Sequence, residues 1–494
     1  MDISRRSLLS FGAAGLIAPN LEALLDRLPA RPKNIIFCVA DGMAVQVPTI
    51  VDYYQQQVLG KSSYWAWLQS QPFAHSALQE TRALSSIVTD SAAASSAWGS
   101  GRRIWNGMLN MYPDRTKLDP IVGIMSAAGV RCGLVTTTTM THATPAGFAV
   151  NNIARGNEQE IAESYLTSGV QVLLGGGNKF FDPTKRADKT DIYEKFRSAG
   201  FKVCRTRSDL SAQPGGKLLG IFSDSHVPYS IDRDHDPELQ KTVPTLAQMA
   251  QVAIDSLKGG KRGFLLQIEG GKVDHAAHAN DVSAMIFDQI AFEEAVKVAV
   301  DFALADKETL VIITADHATG GPSLNGDGTE YFDSTMGLSV LAGMKSSVTA
   351  VIDSLGKDST ATQVKDRFVE KLGVELSADE TATVTDAITG GAPLKNMKFL
   401  NSKSGVVGAI LGNHCKVTWT SGNHTCDHVQ VISVGPGSEL IKGVVSNYTF
   451  FDLMLGFKDL KHSNPTMSFE TAHEHYKKLK LPKDGGLEHL ESGI

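Results

Sequence analysis

The chain has 494 residues, 42% of them hydrophobic, enough to bury one large core or two ordinary ones, which excludes an intrinsically disordered protein. Its 47 basic and 53 acidic residues leave a net charge of -6 and no basic tract is present, which excludes a nucleic-acid binder that relies on phosphate neutralisation.

The chain opens on Ser4-Arg5-Arg6-Ser7, followed by an apolar run from Leu8 to Ala18. That run is far shorter than the about 20 residues a membrane-crossing helix needs. Residues 1–30 therefore read as an export signal, and the paired arginines point to the twin-arginine route and a periplasmic or secreted location. Contact with a membrane would come only through an uncleaved signal.

Further along, short runs rich in branched residues predict strands over 34–40, 132–136, 170–174, 264–268, 309–314 and 429–434, each short enough to be buried on both faces. Helical patterns over 246–257 and 284–304 fall between them. This alternation predicts an α/β fold, a three-layer sandwich in which a largely parallel central sheet is flanked by helices. Residues 31–494 read as one domain, interrupted over about 322–419 by a cap or crown insertion with Gly/Ser-rich turns and helices over 362–372 and 378–388. The charged, His-containing stretch 474–494 reads as a solvated tail. Five cysteines are too few for a disulfide scaffold. Cys38 and Cys132 sit inside strand patterns, and the sequence leaves open whether Cys415 and Cys426 pair.

In sheets of this kind ligands gather beyond the carboxyl ends of the strands. Asp41, Glu269, Asp316 and His317 all fall at such ends. Asp274 and His278 are four residues apart, which on a helix stacks them on one face, able to reach one metal ion; a solvent-facing ion pair is the ordinary alternative. Asp316-His317 offers adjacent carboxylate and imidazole ligands of the kind zinc accepts. Asp41 is either a turn aspartate or a carboxylate bridging two cations, and His424 says little alone. The run Asp90-Ser91-Ala92-Ala93-Ala94 starts a helix. It reads either as an N-cap or as a nucleophilic serine at a helix start, where partial positive charge favours an alkoxide and an incoming phosphate.

Taken in order, Asp-Gly-Met at 41–43, Thr-Asp-Ser-Ala-Ala at 89–93, His-Ala-Thr-Pro-Ala at 142–146, Glu-Gly-Gly-x-x-Asp-His-x-x-His at 269–278, Thr-Ala-Asp-His at 314–317 and His-Thr at 424–425 resemble the alkaline phosphatase family, from about Asn34 to Phe451. The resemblance implies an exported phosphomonoesterase that releases an alcohol and inorganic phosphate through a phosphoserine, using two zinc ions and one magnesium ion. Asp274, His278 and His424 would hold the first zinc, and Asp41, Asp316 and His317 the second, with Ser91 joining them as the attacking alkoxide. Asp41, Thr144 and Glu269 would hold the magnesium, and Arg155 would clamp phosphate. His142 and His275 depart from the best-known bacterial pattern, which has Asp and Lys there, and resemble the animal enzymes. An imidazole beside the third site is compatible with zinc in place of magnesium, which prefers oxygen ligands. Relatives are commonly homodimers, and small phosphate monoesters are the expected substrates. A phosphodiesterase of the same superfamily and an inactive exported metal- and phosphate-binding protein are the alternatives, while a sulfatase would need a Cys-x-Pro-x-Arg motif that the sequence lacks.

Overall fold

The computed structural model describes residues 31–212 and 215–479, so the export-signal reading of residues 1–30 lies outside the described residues. In chain order the strands are β1 (Asn34–Ala40), β2 (Ala74–Glu80), β3 (Arg131–Thr139), β4 (Val172–Gly176), β5 (Lys202–Cys204), β6 (Leu218–Ile221), β7 (Phe264–Gly270) and β8 (Thr309–Thr314). There follow the two-residue strands β9 (Ala318–Thr319), β10 (Ser323–Leu324), β11 (Val417–Thr418) and β12 (His424–Thr425), then β13 (Val429–Val434) and β14 (Gly443–Ser446). Ten of them form one sheet in the order β14-β2-β13-β8-β1-β7-β3-β4-β6-β5, in which only β13 pairs antiparallel with its neighbours.

The apolar run of β1 is buried at every residue because the sheet is covered on both sides. Ile36, Cys38 and Ala40 point into a core shared with helices α1 (Val47–Tyr54), α4 (Leu246–Leu257) and α6 (Val282–Asp306). Ile35, Phe37 and Val39 point the other way, into a core shared with α2 (Ser91–Ser100), α3 (Ala143–Ala149) and α8 (Thr449–Phe457). Two-residue periodicity of the strand thus divides the molecule into three layers. On the second side the Phe37 ring lies 5.0 Å from Trp98, 5.5 Å from Phe148 and 5.7 Å from Phe450. Truncating such a ring to alanine costs about 3–5 kcal/mol.

Register then sets where the polar residues emerge. Val39 is opposite Glu269 on one side and Thr314 on the other, and Thr136 is opposite Glu269. β1, β7 and β8 therefore end level to within one residue, β3 runs on to Thr139, and the residues that follow them share one edge. Between β10 and β11, which pair antiparallel, the chain makes several helices, among them α7 (Lys403–Cys415). Their apolar residues Leu338, Phe368, Val384 and Leu411 join the same core as the α4 and α6 side of the sheet.

Cys415 is buried and Cys426 exposed, and both are free. Of the stretch expected to be a solvated tail, residues 480–494 lie outside the described residues, Glu474, Lys477 and Lys478 are exposed, and its first three residues close helix α9 (Phe469–Tyr476), whose Tyr476 stacks on Trp105 with ring centroids 4.7 Å apart. No helix among the described residues is long and apolar enough to cross a membrane.

Candidate active site

Ser91 is the first residue of α2, and the cap of that helix is Asp90, whose Oδ1 accepts the N–H of Ala93 at 2.9 Å. Capping by the neighbour leaves the Ser91 hydroxyl unused by the helix. Its Oγ instead lies 3.2 Å from Nε2 of His317. Helix α2 is wholly buried and meets α3 at two glycines: a Cβ on Gly99 would fall 1.9 Å from the Gly147 carbonyl oxygen, and one on Gly147 would fall 2.1 Å from Ser95 Oγ. This close approach sets Ser91 beside the helix that carries Thr144.

Three groups of ligand-type atoms gather at the strand ends, each with members within 4.8 Å of one another: Asp274, His278 and His424; Asp41, Asp316 and His317; Asp41, His142 and Glu269. The His317 that faces Ser91 belongs to the second. In the first, α5 (Lys272–His278) places Asp274 Oδ2 3.3 Å from His278 Nε2. His424 arrives from far along the chain because β12 pairs with β9, setting His424 opposite Thr319. Its Nδ1 donates to the Thr89 carbonyl at 2.8 Å, and that of His278 donates to the Gly422 carbonyl at 2.7 Å. With both Nδ1 atoms protonated, the two Nε2 lone pairs face each other at 2.9 Å, an arrangement that suits a shared cation.

In the second group His317 Nε2 lies 3.0 Å from Asp316 Oδ2 and 3.6 Å from Asp41 Oδ1. Thr319 organises both groups, donating to Asp274 Oδ1 at 2.6 Å and accepting from His317 Nδ1 at 3.2 Å, which leaves the other ring nitrogen free to face Ser91. Gly42, at φ +70°, passes so close to Asp274 that a Cβ would sit 2.6 Å from its Cα, and its N–H donates to Asp316 Oδ1 at 3.0 Å. A side chain there would push the first two groups apart.

The third group shares Asp41, whose Oδ2 accepts from Thr144 Oγ1 at 3.1 Å and lies 4.0 Å from His142 Nδ1, while Glu269 Oε1 is 3.8 Å from the same nitrogen. Across the second and third groups Asp41 Oδ1, Asp316 Oδ2, Glu269 Oε1 and His142 Nδ1 are buried without a hydrogen-bond partner. Burial, together with the Asp316, Asp274 and Glu269 carboxylates, pushes the Asp41 carboxyl well above its usual range. Asp274 is also buried, but the His278, His424 and His317 rings hold it well below. Orphaned anionic oxygens and inward-facing imidazole lone pairs at this density fit divalent cations, which would satisfy both at once.

Arg155 is held by Asp90, whose Oδ2 accepts from Nη1 at 3.1 Å, while its Nη2 lies 2.9 Å from His142 Nε2. Burial opposes the guanidinium charge, but the Asp90 carboxylate outweighs it and raises the group above its ordinary value. His275 stands behind His142 at 5.8 Å between ring centroids, with Lys272 Nζ 3.1 Å from its Nδ1. The structure thus gathers Ser91, Arg155, Asp41, Thr144, Glu269, Asp274, His278, Asp316, His317, His424, His142 and His275 at one edge of the sheet. Sequence reasoning missed Thr319, His226 and the double duty of Asp90. His226 packs on His275 at 4.4 Å and accepts the Thr139 N–H at 3.0 Å, but its Ser-Asp-Ser-His context carries no signal. Thr319 was within reach, two residues beyond His317 at a strand end.

A profile of the alkaline phosphatase family matches residues 32–460. Alkaline phosphatase 3 of Bacillus subtilis is 30% identical over 425 residues, covering 84% of this chain and 86% of that protein. Alkaline phosphatase 4 of the same organism is 32% identical over 370 residues, covering 73% of this chain and 74% of its own length. The crystal structure of Thermus thermophilus alkaline phosphatase superposes with a TM-score of 0.86 at 35% identity, covering 92% of this chain and 96% of that one. With the fold, the metal-binding side-chain groups and these likenesses in agreement, the chain belongs to the alkaline phosphatase family of metal-dependent phosphomonoester hydrolases.

Proposed function

We propose that the protein is an exported alkaline phosphatase that hydrolyses phosphate monoesters through a phosphoserine on Ser91. The observation that carries this reading is the Ser91 hydroxyl, free of capping duty, 3.2 Å from His317 and beside three cation-type groups, with Arg155 anchored next to it by Asp90. Asp274, His278 and His424 would hold one zinc ion, and Asp41, Asp316 and His317 another. Asp41, Thr144 and Glu269 would hold magnesium, or zinc if His142 joins them. When bound, such ions neutralise charge at the attacking and leaving oxygens of an in-line displacement.

The chain's own residues supply the nucleophile and the orientation. Ser91 Oγ loses its proton and forms a bond to phosphorus as the bond from phosphorus to the ester oxygen breaks, and the alcohol leaves with a proton. Water then attacks the phosphoserine, the P–Oγ bond breaks, and Ser91 regains its proton as inorganic phosphate forms. Arg155 offers parallel N–H donors to non-bridging oxygens, which favours a monoester dianion over a diester. Residues 31–494 act as one catalytic domain with the cap at about 322–419, and the leader directs it to the periplasm or beyond. Whether it works as a homodimer is read from its sedimentation.

Ser91→Ala tests the reading. The variant is expected to keep the wild-type metal content while losing several orders of magnitude in turnover of p-nitrophenyl phosphate. Unchanged turnover overturns the covalent route, and faster cleavage of bis(p-nitrophenyl) phosphate than of the monoester by the wild type would make the protein a phosphodiesterase.

A further inference from the structure

The profile match ends at residue 460, yet the chain beyond it packs against the far end of the helix that begins with Ser91. Asn464, 4% exposed, donates through Nδ2 to the Ser100 carbonyl at 2.8 Å and to the Asp119 carbonyl at 3.0 Å, and accepts the Asp119 N–H at 2.7 Å. Ser100 is the last residue of α2, the helix that begins with Ser91. The Asn464 carbonyl in turn accepts from Arg102 Nε at 2.8 Å. This segment therefore grips the far end of the nucleophile helix and the loop that leaves it.

Tyr112 donates its hydroxyl hydrogen to the Pro465 carbonyl at 3.2 Å, and four residues further on the chain enters α9. One face of that helix presents Phe469, His473 and Tyr476 to Trp105, with centroids at 5.8, 5.7 and 4.7 Å and planes within 27° of parallel. Spacing of four and three residues puts all three on one side of the helix. Trp105 is only 8% exposed beneath them.

The two residues after Trp105 touch the reaction machinery. Asn106 accepts the Asp90 N–H at 3.3 Å and donates to the Val88 carbonyl at 3.1 Å. Gly107 donates its N–H to Asp90 Oδ2 at 3.0 Å, the same oxygen that holds Arg155, and its carbonyl accepts the Arg155 N–H at 2.8 Å. The turn over 105–107 thus fixes Arg155 twice, through its backbone and through its carboxylate anchor.

We propose that residues 464–476 form an aromatic clamp on Trp105 that positions Asp90 and Arg155, so that this segment, outside the family match, sets the affinity of the site for the phosphoryl group. Trp105, Phe469 and Tyr476 are positioning residues, acting on substrate only through Arg155. The inference rests on the phosphatase reading for Arg155 as the phosphate clamp.

The test compares Phe469→Ala/Tyr476→Ala with Tyr476→Phe, which retains the stacked ring. The double variant is expected to raise KM for p-nitrophenyl phosphate and the Ki of orthophosphate together, on the order of tenfold, because a small misplacement far from the chemistry is enough for such losses. Metal content stays at the wild-type level and Tyr476→Phe behaves as wild type. Unchanged KM and Ki, with or without a drop in melting temperature, overturn the clamp, since a merely structural helix would move only stability. Calorimetric titration with orthophosphate supplies the same comparison without turnover. A wild type that binds phosphate but cleaves no monoester thus counts against the phosphatase reading, and equal binding by the two proteins against the clamp.

Discussion

Two regions of this molecule bury carboxylates, and they solve the cost differently. At the strand ends Asp41, Glu269 and Asp316 are fully buried and each leaves an oxygen without a hydrogen-bond donor. Around α6, Asp281, Asp288 and Glu293 are also buried, but every one is answered by the protein. Asp281 accepts from Ala284 N at 2.9 Å and Thr349 N at 3.0 Å, Asp288 from Ser230 N at 3.1 Å and Oγ at 3.0 Å, and Glu293 from Trp65 N at 3.0 Å. Burial pushes the Asp288 and Glu293 carboxyls up to about 7, so near neutrality protons do part of the work. Buried acid is thus no sign of a metal by itself. Unanswered buried acid facing imidazole lone pairs is.

Removing cations should separate the two regions most strongly. Chelation is expected to abolish monoesterase activity and to lower the melting temperature, because the strand-end carboxylates lose their compensation while those of α6 keep theirs. Adding zinc and magnesium back restores both. Full activity and an unchanged melting temperature in protein shown by elemental analysis to be metal-free would refute the cation account.

The contrast also explains what could be read beforehand. The boundaries of β1, β8, β13 and α4 coincide with the sequence reading because a strand or helix buried in a layered core leaves an unbroken apolar signature. β5 has three residues and β14 lies at the sheet edge with exposed positions, so neither writes a pattern. β2 alternates irregularly between exposed and buried residues, so it too writes no strand pattern. In the site, Asp274 and His278 are legible because one helix turn joins them. His424 gains meaning only through the two-residue pairing of β12 with β9, which no local pattern announces. His226 is brought in by tertiary packing alone, and the clamp on Trp105 depends on a helix whose charged sequence looks like solvent-exposed tail.

A second way to sharpen the comparison lies at the less complete edge of the site. His142 Nδ1 has no hydrogen-bond partner, whereas the Nδ1 atoms of His278, His317 and His424 are all pinned. Replacing His142 by Asp supplies oxygen to the third group, which suits magnesium, and removes the ring that occupies Arg155 Nη2. Replacing His275 by Lys adds a cation nearby. The double variant is expected to bind orthophosphate more tightly, on the order of tenfold or about 1.4 kcal/mol, and to turn over more slowly where product release limits the rate. Weaker product inhibition would count against this.

The last contrast lies at Glu293, in the region that answers its buried acids with hydrogen bonds. Its carboxyl is raised from 4.5 to about 7, chiefly by burial, against the hydrogen bond from Trp65. The folded chain therefore holds this proton more tightly than the unfolded chain does. The associated stability is intact at acidic pH and is lost as pH rises from about 4.5 through 7. Glu293→Gln cannot ionise, and its amide oxygen can still accept from Trp65. Melting curves of the two proteins should diverge as pH is raised from 5 to 8, the wild type losing more, by at most about 3 kcal/mol. Both proteins must be kept metal-loaded so that ligand protonation in the site is common to the two curves. Parallel curves over that range would mean that Glu293 stays ionised when buried, and that its hydrogen bonds alone suffice.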